Sequence, residues 1–548
     1  MPGRSRLRSP WWIVGALTAL AGGLELWGVW RDLPFPDVDE HFFVHPAIHI
    51  ASTGDLDPHW FGHPGSTVIY PLALLFHAWD ALVHYGPLLW AGPELASRFR
   101  HDPGEYYFIG RLWTIAVAIA VIPVLFALGR RVFNTRTALA ACALWVVVPL
   151  VVQYGRIVRT DTAAVLFGAL ALLAILAAHD RPTRRSCVLA GVAIGLAIST
   201  RYFMVTLVPV LVVAMLTSPQ LADRAASIRR AALGSATAIG AFLVTTPYFL
   251  LDPHAVVTSL QREDRHSPGR DGFSWLDSAR WYVGRVIPHT LGWPITLLVI
   301  AGLVLALVRR DEHTLLLVGF VALFVTAIST SHIHWDRWLI PVLPVLVLVA
   351  ASALDAAVTG VTRAAVAPPA LRPAFLAALL VLLALAPTGR VLELDRLASR
   401  PSTRVLARTW MQHHLTTGSR VGIELKTAPL RASGFRVTSR YSLGQEPLTS
   451  YERDGYRYLV TNGQMRHTFA HASREYPRES SFYRSLNDDK CRLREFRPSR
   501  RRGGPVITVW QLTTKGDGAC HRAVDAATDT GSDTAAEIRG SAAPAPAR

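Results

Sequence analysis

As far as about residue 390 the chain alternates long apolar runs with short polar, arginine-bearing loops. Runs such as TIAVAIAVIPVLFALG (114–129), DTAAVLFGALALLAILAA (161–178) and FLAALLVLLALA (375–386) lack an amphipathic period. A helix that is apolar all round lies in a core or in lipid, so these segments predict membrane spans. The first run, 11–30, follows RSRLR and could pass for a secretory signal, but it is long for one, holds Glu25 and two late tryptophans, and lacks a small-residue cleavage site. It reads as an uncleaved first span.

Basic loops set the orientation. Arg4, Arg6 and Arg8 keep the N-terminus in the cytoplasm and send PFPDVDE outside, while GRRVFNTR (129–136), HDRPTRRS (179–186), DRAASIRR (223–230), RRDEH (309–313) and TRAAVAPPALR (362–372) fall inside. That alternation needs an odd number of crossings between residues 31 and 129, where stretches 66–86 and 108–128 compete. The first carries His77, Asp80 and His84 on one helical face, which predicts an interfacial amphipathic helix in the first outer loop. The expected fold is an all-α polytopic membrane domain over 1–390, with about eleven transmembrane helices and everything after it outside. Residues 391–520 become polar, with a helix-like stretch 402–415 and strand-like stretches 420–425, 456–462 and 506–512 between turn signals. They predict a small extracytoplasmic α/β domain, and 521–548, without apolar period, a disordered tail.

Composition agrees. Hydrophobic residues make up 51% of the 548 positions and charged residues 17%, too little solvation for a soluble chain of this size and natural for an integral protein of the inner or plasma membrane. The net charge of +17 would suggest nucleic acid, but its arginines sit in inter-span loops, where orientation explains them; no nucleic-acid partner is expected. Cys142 and Cys187 lie in spans as small core residues, whereas Cys491 and Cys520 fall in the outer domain, where an oxidising compartment would permit a disulfide; the sequence leaves that pairing open.

The outer loops carry the candidate chemistry. Arg156, Arg159, Arg201 and Arg337 stand outside, against the rule that orients the chain, and positive groups there need an anionic partner. Asp161 could close an internal ion pair with Arg156 or Arg159; four such arginines on one side, beside membrane-level acids and histidines, favour an anionic head group, which a guanidinium fork suits. Asp39 and Glu40 could simply begin a helix near Pro46, yet the proline- and aromatic-rich PFPDVDEHFF predicts a shaped, partly buried loop, where a retained carboxylate is typically a base. His41, His45, His49, His59 and His63 share the first outer loop and invite a metal, but no HExxH or paired-cysteine pattern accompanies them. Interfacial hydrogen bonding is the preferred reading.

These elements together resemble the polyprenyl-phosphate-dependent glycosyltransferases of the C-type membrane fold (glycosyltransferase family 39), specifically the protein O-mannosyltransferases and the aminoarabinose transferase of lipid A. The resemblance rests on Asp39-Glu40 after the first span, His63-Pro64-Gly65 leading into STVIYPL, Arg111 in YFIGRLW, QYGRIVRTD with Arg156 and Asp161, GLAISTRY, DRWLIPVLP, and an outer part with TRVLARTWMQHHLTTGSRVGIE and DGYRYLVTN. It covers most of 11–520. It departs where the family's second proline is Gly65 and where some relatives' cation is His63.

The resemblance implies transfer of a hexose or pentose from a polyprenyl-phosphate carrier to an acceptor hydroxyl of a protein, lipid or glycan on the outer face, with inversion. Asp39 would be the base, and Glu40 and Asp161 would orient the acceptor, the base or the arginines. His63, Arg111, Arg156, Arg159, Arg201 and Arg337 would bind the donor phosphate. No cofactor is required, since a monophosphate leaving group does not oblige the protein to supply a divalent metal. The rivals are a lipid-linked sugar flippase and a membrane scaffold. Sugar, acceptor and oligomeric state stay open.

Overall fold

The computed structural model describes residues 9–35, 39–85, 92–221, 223–263, 273–331, 334–365, 368, 371–430, 433–471, 473–474 and 476–514. The expected tail 521–548, Cys520, Asp37 and the side chain of His84 lie outside these residues. One compact unit runs to Ser399 and a second begins at Arg400.

The first unit is helical: α1 (Trp11–Leu26), α2 (His41–Thr53), α3 (Ser66–Asp80), α4 (Gly92–His101), α5 (Gly104–Val132), α6 (Thr135–Val146), α7 (Pro149–Gly155), α8 (Thr160–Asp180), α9 (Arg184–Thr200), α10 (Leu207–Leu216), α11 (Arg224–Thr245), α12 (Tyr248–Leu251), α13 (Pro253–Glu263), α14 (Trp275–Trp281), α15 (Ile287–Leu291), α16 (Trp293–Arg309), α17 (Glu312–Ser329), α18 (Leu343–Ala364) and α19 (Arg372–Ala398). Because α19 continues as helix to Ala398, the expected boundary at 390 falls inside an element.

Among the described residues, six helices are long and apolar enough to cross a membrane, or seven if α6 and α7, bent by 64° at their break, count as one span; α1, α16 and Tyr202–Leu216 are shorter apolar helices. Pro149 opens α7, and without an amide hydrogen it cannot continue the ladder of α6. Ser66–Val83 is among the six, so length and apolarity do not set it apart as interfacial. Its expected polar face is also turned differently: Asp80 is buried and accepts from Arg98 Nε at 2.9 Å and from the Tyr106 hydroxyl at 3.0 Å. An ion pair with α4 and a hydroxyl from α5 satisfy this carboxylate inside the protein.

Local sequence starts the helices in the arginine-rich loops. Asn134 accepts from the Thr137 amide (3.0 Å), Thr183 from Ser186 (3.1 Å) and Asp311 from Thr314 (3.2 Å), capping α6, α9 and α17. Glycine sets the closest packing: a Cβ at Gly191 or Gly195 of α9 would run into the Gly234 and Ala238 carbonyl oxygens of α11. Small residues let these two backbones touch.

The second unit holds a five-stranded sheet of order β2-β1-β3-β5-β4, where β1 is Arg420–Glu424, β2 Arg436–Arg440, β3 Tyr458–Asn462, β4 Lys490–Phe496 and β5 Ile507–Thr514. The β2-β1-β3 half is parallel, while β5 runs antiparallel to both β3 and β4. Alternate residues of β3 face opposite ways: Tyr458 and Val460 join Leu406, Trp410 and Met411 of α20 (Thr403–His414), and Leu459 joins Phe482 and Leu486 of α21 (Pro477–Asp489). All five β3 residues are buried, the condition of a central strand covered on both faces. Cys491 in β4 is disulfide-bonded, and Cys142 and Cys187 are free and buried.

Candidate active site

Four separate segments deliver charge to one place. Asp39 precedes α2; Arg159 stands in extended conformation just before α8; Asp161 lies in the first turn of α8; Arg201 ends α9. Arg337 comes from the 3-10 turn Asp336–Val342 that leads into α18.

Arg159 joins the two acids, donating from Nε to Asp161 Oδ2 at 2.9 Å and from Nη1 to Asp39 Oδ2. Arg201 Nη1 donates to the other oxygen of Asp161. Arg337 Nη2 lies 3.7 Å from Asp39 Oδ2, and its guanidinium stacks over Trp335 at 4.2 Å. Two carboxylates thus face three guanidinium groups in direct ion-pair contact.

Donor capacity is left over. Arg201 is 1% exposed, yet among the described residues its Nε and Nη2 have no hydrogen-bond partner, and neither do Arg337 Nε and Trp338 Nε1. Arg201 sits over the Trp338 ring at 5.7 Å, so the unmet donors of these two residues are neighbours. A buried donor left unpaired costs on the order of 1–3 kcal/mol, more when charged. An anion with several oxygens could accept from both Arg201 donors.

His63 is placed by the loop before α3, whose N-cap Gly65 takes a left-handed conformation (φ +62°). Burial first, and then the charges of Arg201 and Arg159, push its imidazole down to about 3. In this cluster His63 is neutral, so it offers a hydrogen-bonding edge without positive charge. Its ring packs edge-on against Trp60 at 5.7 Å.

Two expected phosphate ligands are committed elsewhere. Arg111 donates to both oxygens of buried Glu40 at 2.9 and 2.7 Å and to the Val29 and Arg31 carbonyls at 2.6 and 2.8 Å, while Glu40 also accepts from the Val158 amide at 3.2 Å. Arg156 pairs with buried Asp395 of α19 at 2.7 Å and donates to the Trp27 carbonyl. The physical reason is spacing: Arg156 precedes the extended Arg159 by a turn and points back toward α1 and α19. Glu40, adjacent to Asp39, likewise points into the helix packing, fixing the loop that presents Asp39.

Glu263, at the end of α13, was not singled out by sequence. Its side chain meets Gly62, where a Cβ would lie 2.8 Å from Glu263 Cγ and Oε1. Surface area leaves Glu263 exposed, but protein crowds the carboxyl closely enough that desolvation, and next the negative charge of Asp39, raise its pKa, against Arg337 and Arg159. It lies within electrostatic reach of Asp39, Arg159 and Arg337. The available signal was an acid inside the arginine-rich loop QREDR.

Most of the first-loop histidines lie outside the cluster. His41 packs on Phe42 (4.0 Å) and His45 on Phe99 (5.4 Å). His49 and His59 approach Asp55 Oδ2 at 3.6 and 3.2 Å, and these three offer ligand atoms within 4.8 Å of one another, as a cation would need.

Residues 104–248 match the sequence profile described as dolichyl-phosphate-mannose-protein mannosyltransferase. That segment contains Arg159, Asp161 and Arg201, while Asp39 and Arg337 lie outside it. No curated protein matches significantly. Among solved structures, ArnT from Cupriavidus metallidurans in the apo state is 16% identical, with 90% of this chain and 97% of that chain covered and a TM-score of 0.52. ArnT bound to undecaprenyl phosphate gives 16%, the same coverage and 0.53. The apo oligosaccharyltransferase of Archaeoglobus fulgidus is 12% identical over 89% of this chain and 74% of that chain, with a TM-score of 0.52. The helical membrane unit followed by a small sheet domain is therefore the C-type glycosyltransferase fold, and the resemblance drawn from the motifs, to the protein mannosyltransferase and aminoarabinose transferase group, holds in both profile and fold.

Proposed function

We propose that this chain is an integral membrane glycosyltransferase that moves a sugar from a polyprenyl-phosphate carrier to an acceptor hydroxyl on the outer membrane face. The observation that carries the reading is the set of unpaired buried donors on Arg201, Arg337 and Trp338 beside an Asp39–Arg159–Asp161 chain of ion pairs. The motif resemblance supports it, as does the similarity to an ArnT structure described as bound to undecaprenyl phosphate.

Asp39 accepts the acceptor's hydroxyl proton as that oxygen attacks the anomeric carbon from the face opposite the phosphate, which gives inversion. The bond to the phosphate oxygen breaks, and Arg201 and Arg337 take up the charge that develops there. Asp161 holds Arg159 and Arg201 in place, and neutral His63 can donate one hydrogen bond to the phosphate. A monophosphate leaving group needs no divalent ion in this scheme. Arg111, Arg156 and Glu40 act as scaffold.

The test is the full chain in liposomes with a polyprenyl-phosphate sugar, reading release of polyprenyl phosphate. Asp39→Asn should lose turnover by about 10²–10⁴-fold and keep carrier binding. A flippase or a scaffold would be indifferent to that change, so transfer at the wild-type rate refutes the assignment.

A further inference from the structure

The far ends of the same helices enclose a second charged cavity. From Arg111 to Val132 along α5, and from Leu343 to Arg363 along α18, the rise is about 30 Å, the thickness of a bilayer's hydrocarbon core. There the end of α5, the start of α6, and α16 and α18 line a cavity of about 670 Å³. Gly302 marks its inner limit, where α16 approaches α18 so closely that a Cβ would meet the Val349 carbonyl. Beyond it, small residues such as Ser352, Ala356 and Gly360 keep the space open.

Three guanidinium groups from three elements line this cavity: Arg136 of α6, Arg309 of α16 and Arg363 of α18. Arg136 has a partner, Asp355 at 3.5 Å, and that buried carboxylate also accepts from Asn134 (3.1 Å) and Thr137 (3.4 Å). Asp311 spends its carboxylate on capping α17, through the Thr314 amide and hydroxyl. Among the described residues no carboxylate lies within ion-pairing distance of Arg309 or Arg363. Orientation alone would accept basic residues anywhere along these loops; it does not gather them around one hollow with an apolar small-residue wall.

We infer that this cavity binds a phosphate group, with Arg309 and Arg363 as its ligands, on the membrane side opposite the Asp39 cluster. A phosphate presented there comes either from the head group of an anionic phospholipid, whose chains can lie along α16 and α18, or from the free ion.

Purified full chain in neutral detergent is offered phosphatidylglycerol, phosphatidylcholine or inorganic phosphate, and retained species are measured by native mass spectrometry. Wild type should keep phosphatidylglycerol and shed phosphatidylcholine. Arg309→Ala/Arg363→Ala should keep at least about tenfold less. Ala356→Leu fills the hollow without touching the charges and should cause a similar loss. If inorganic phosphate alone is retained, with the same sensitivity to these variants, the site is a free-phosphate site and the assignment of phosphate chemistry stands. Equal retention of charged and neutral lipid, or full retention in both variants, overturns it.

Discussion

Two buried carboxylates, one in each unit, are solved in opposite ways. Asp161 in the membrane unit is surrounded by full charges, with Arg159 and Arg201 on its two oxygens, and donors remain unmet around it. Glu424 in the sheet unit is surrounded by neutral donors, namely the Tyr483 hydroxyl, the Leu443 amide at 3.1 Å and the Asn462 amide at 2.6 Å. The first arrangement has surplus hydrogen-bonding capacity, which a structural staple would not need. The second is closed. Unmet donors beside full charges distinguish the surroundings of Asp161 from those of Glu424.

Glu40–Arg111 sharpens that distinction because it is an ion pair and yet closed, with both carboxylate oxygens and three guanidinium nitrogens engaged. Glu40→Gln should destabilise the membrane unit by about 3–5 kcal/mol by stranding a buried guanidinium, while Glu40→Leu/Arg111→Met should recover most of that. Thermal unfolding in detergent reads both. Single and double variants that unfold with wild type would show that closure is not what holds this pair.

Arg201→Met probes the open case. It removes two of the unmet donors and one partner of Asp161, so the proposed transfer should fall by about 10²–10³-fold in kcat/KM, with a smaller drop in unfolding temperature than Glu40→Gln produces. A larger stability loss than activity loss would put Arg201 among the scaffold. Arg337→Ala removes a more peripheral contact, and carrier affinity should weaken by roughly 10- to 150-fold, the value of one charge-assisted hydrogen bond.

How much of this was readable in advance depends on the range of the interaction. Apolar runs without period announced the spans, because lipid imposes composition on every residue of a segment. The strands at 420–425, 456–462 and 506–512 were legible between turn signals; the edge strands β2 and β4 were not, RVTSR being short and mostly polar, although the alternation of KCRLR is the signal a half-buried strand gives. Within the site, the sequence located the loops but could not divide their labour. Asp39 and Glu40 are neighbours, as are Arg156 and Arg159 within one turn, and only distant partners, Arg111 and Asp395, draw one member of each pair away from the cluster. Glu263 was hidden for the same reason, being brought to Asp39 by the fold alone.

The smallest expected effect belongs to Glu424. Burial raises its pKa to about 7 against the hydrogen bonds from Tyr483 and the two amides, which lower it. A proton there can be accommodated, because Tyr483 can accept from the protonated carboxyl and turn its own hydroxyl to Ser442 Oγ, 2.7 Å away. A raised folded-state value means that the folded domain holds the proton more tightly than the unfolded chain does. Stability from this group is therefore complete below the ordinary glutamate range and is lost as pH rises through about 7, amounting to about 2 kcal/mol between roughly pH 5.5 and pH 8. Hydrogen exchange of the β1 and β3 amides in the full chain should quicken over that interval beyond the intrinsic pH effect, and Glu424→Gln should flatten the excess. A wild-type profile that instead slows with rising pH would mean that the carboxylate is stabilised as an anion, like Asp161, and the contrast between the two units would fail at its closed end.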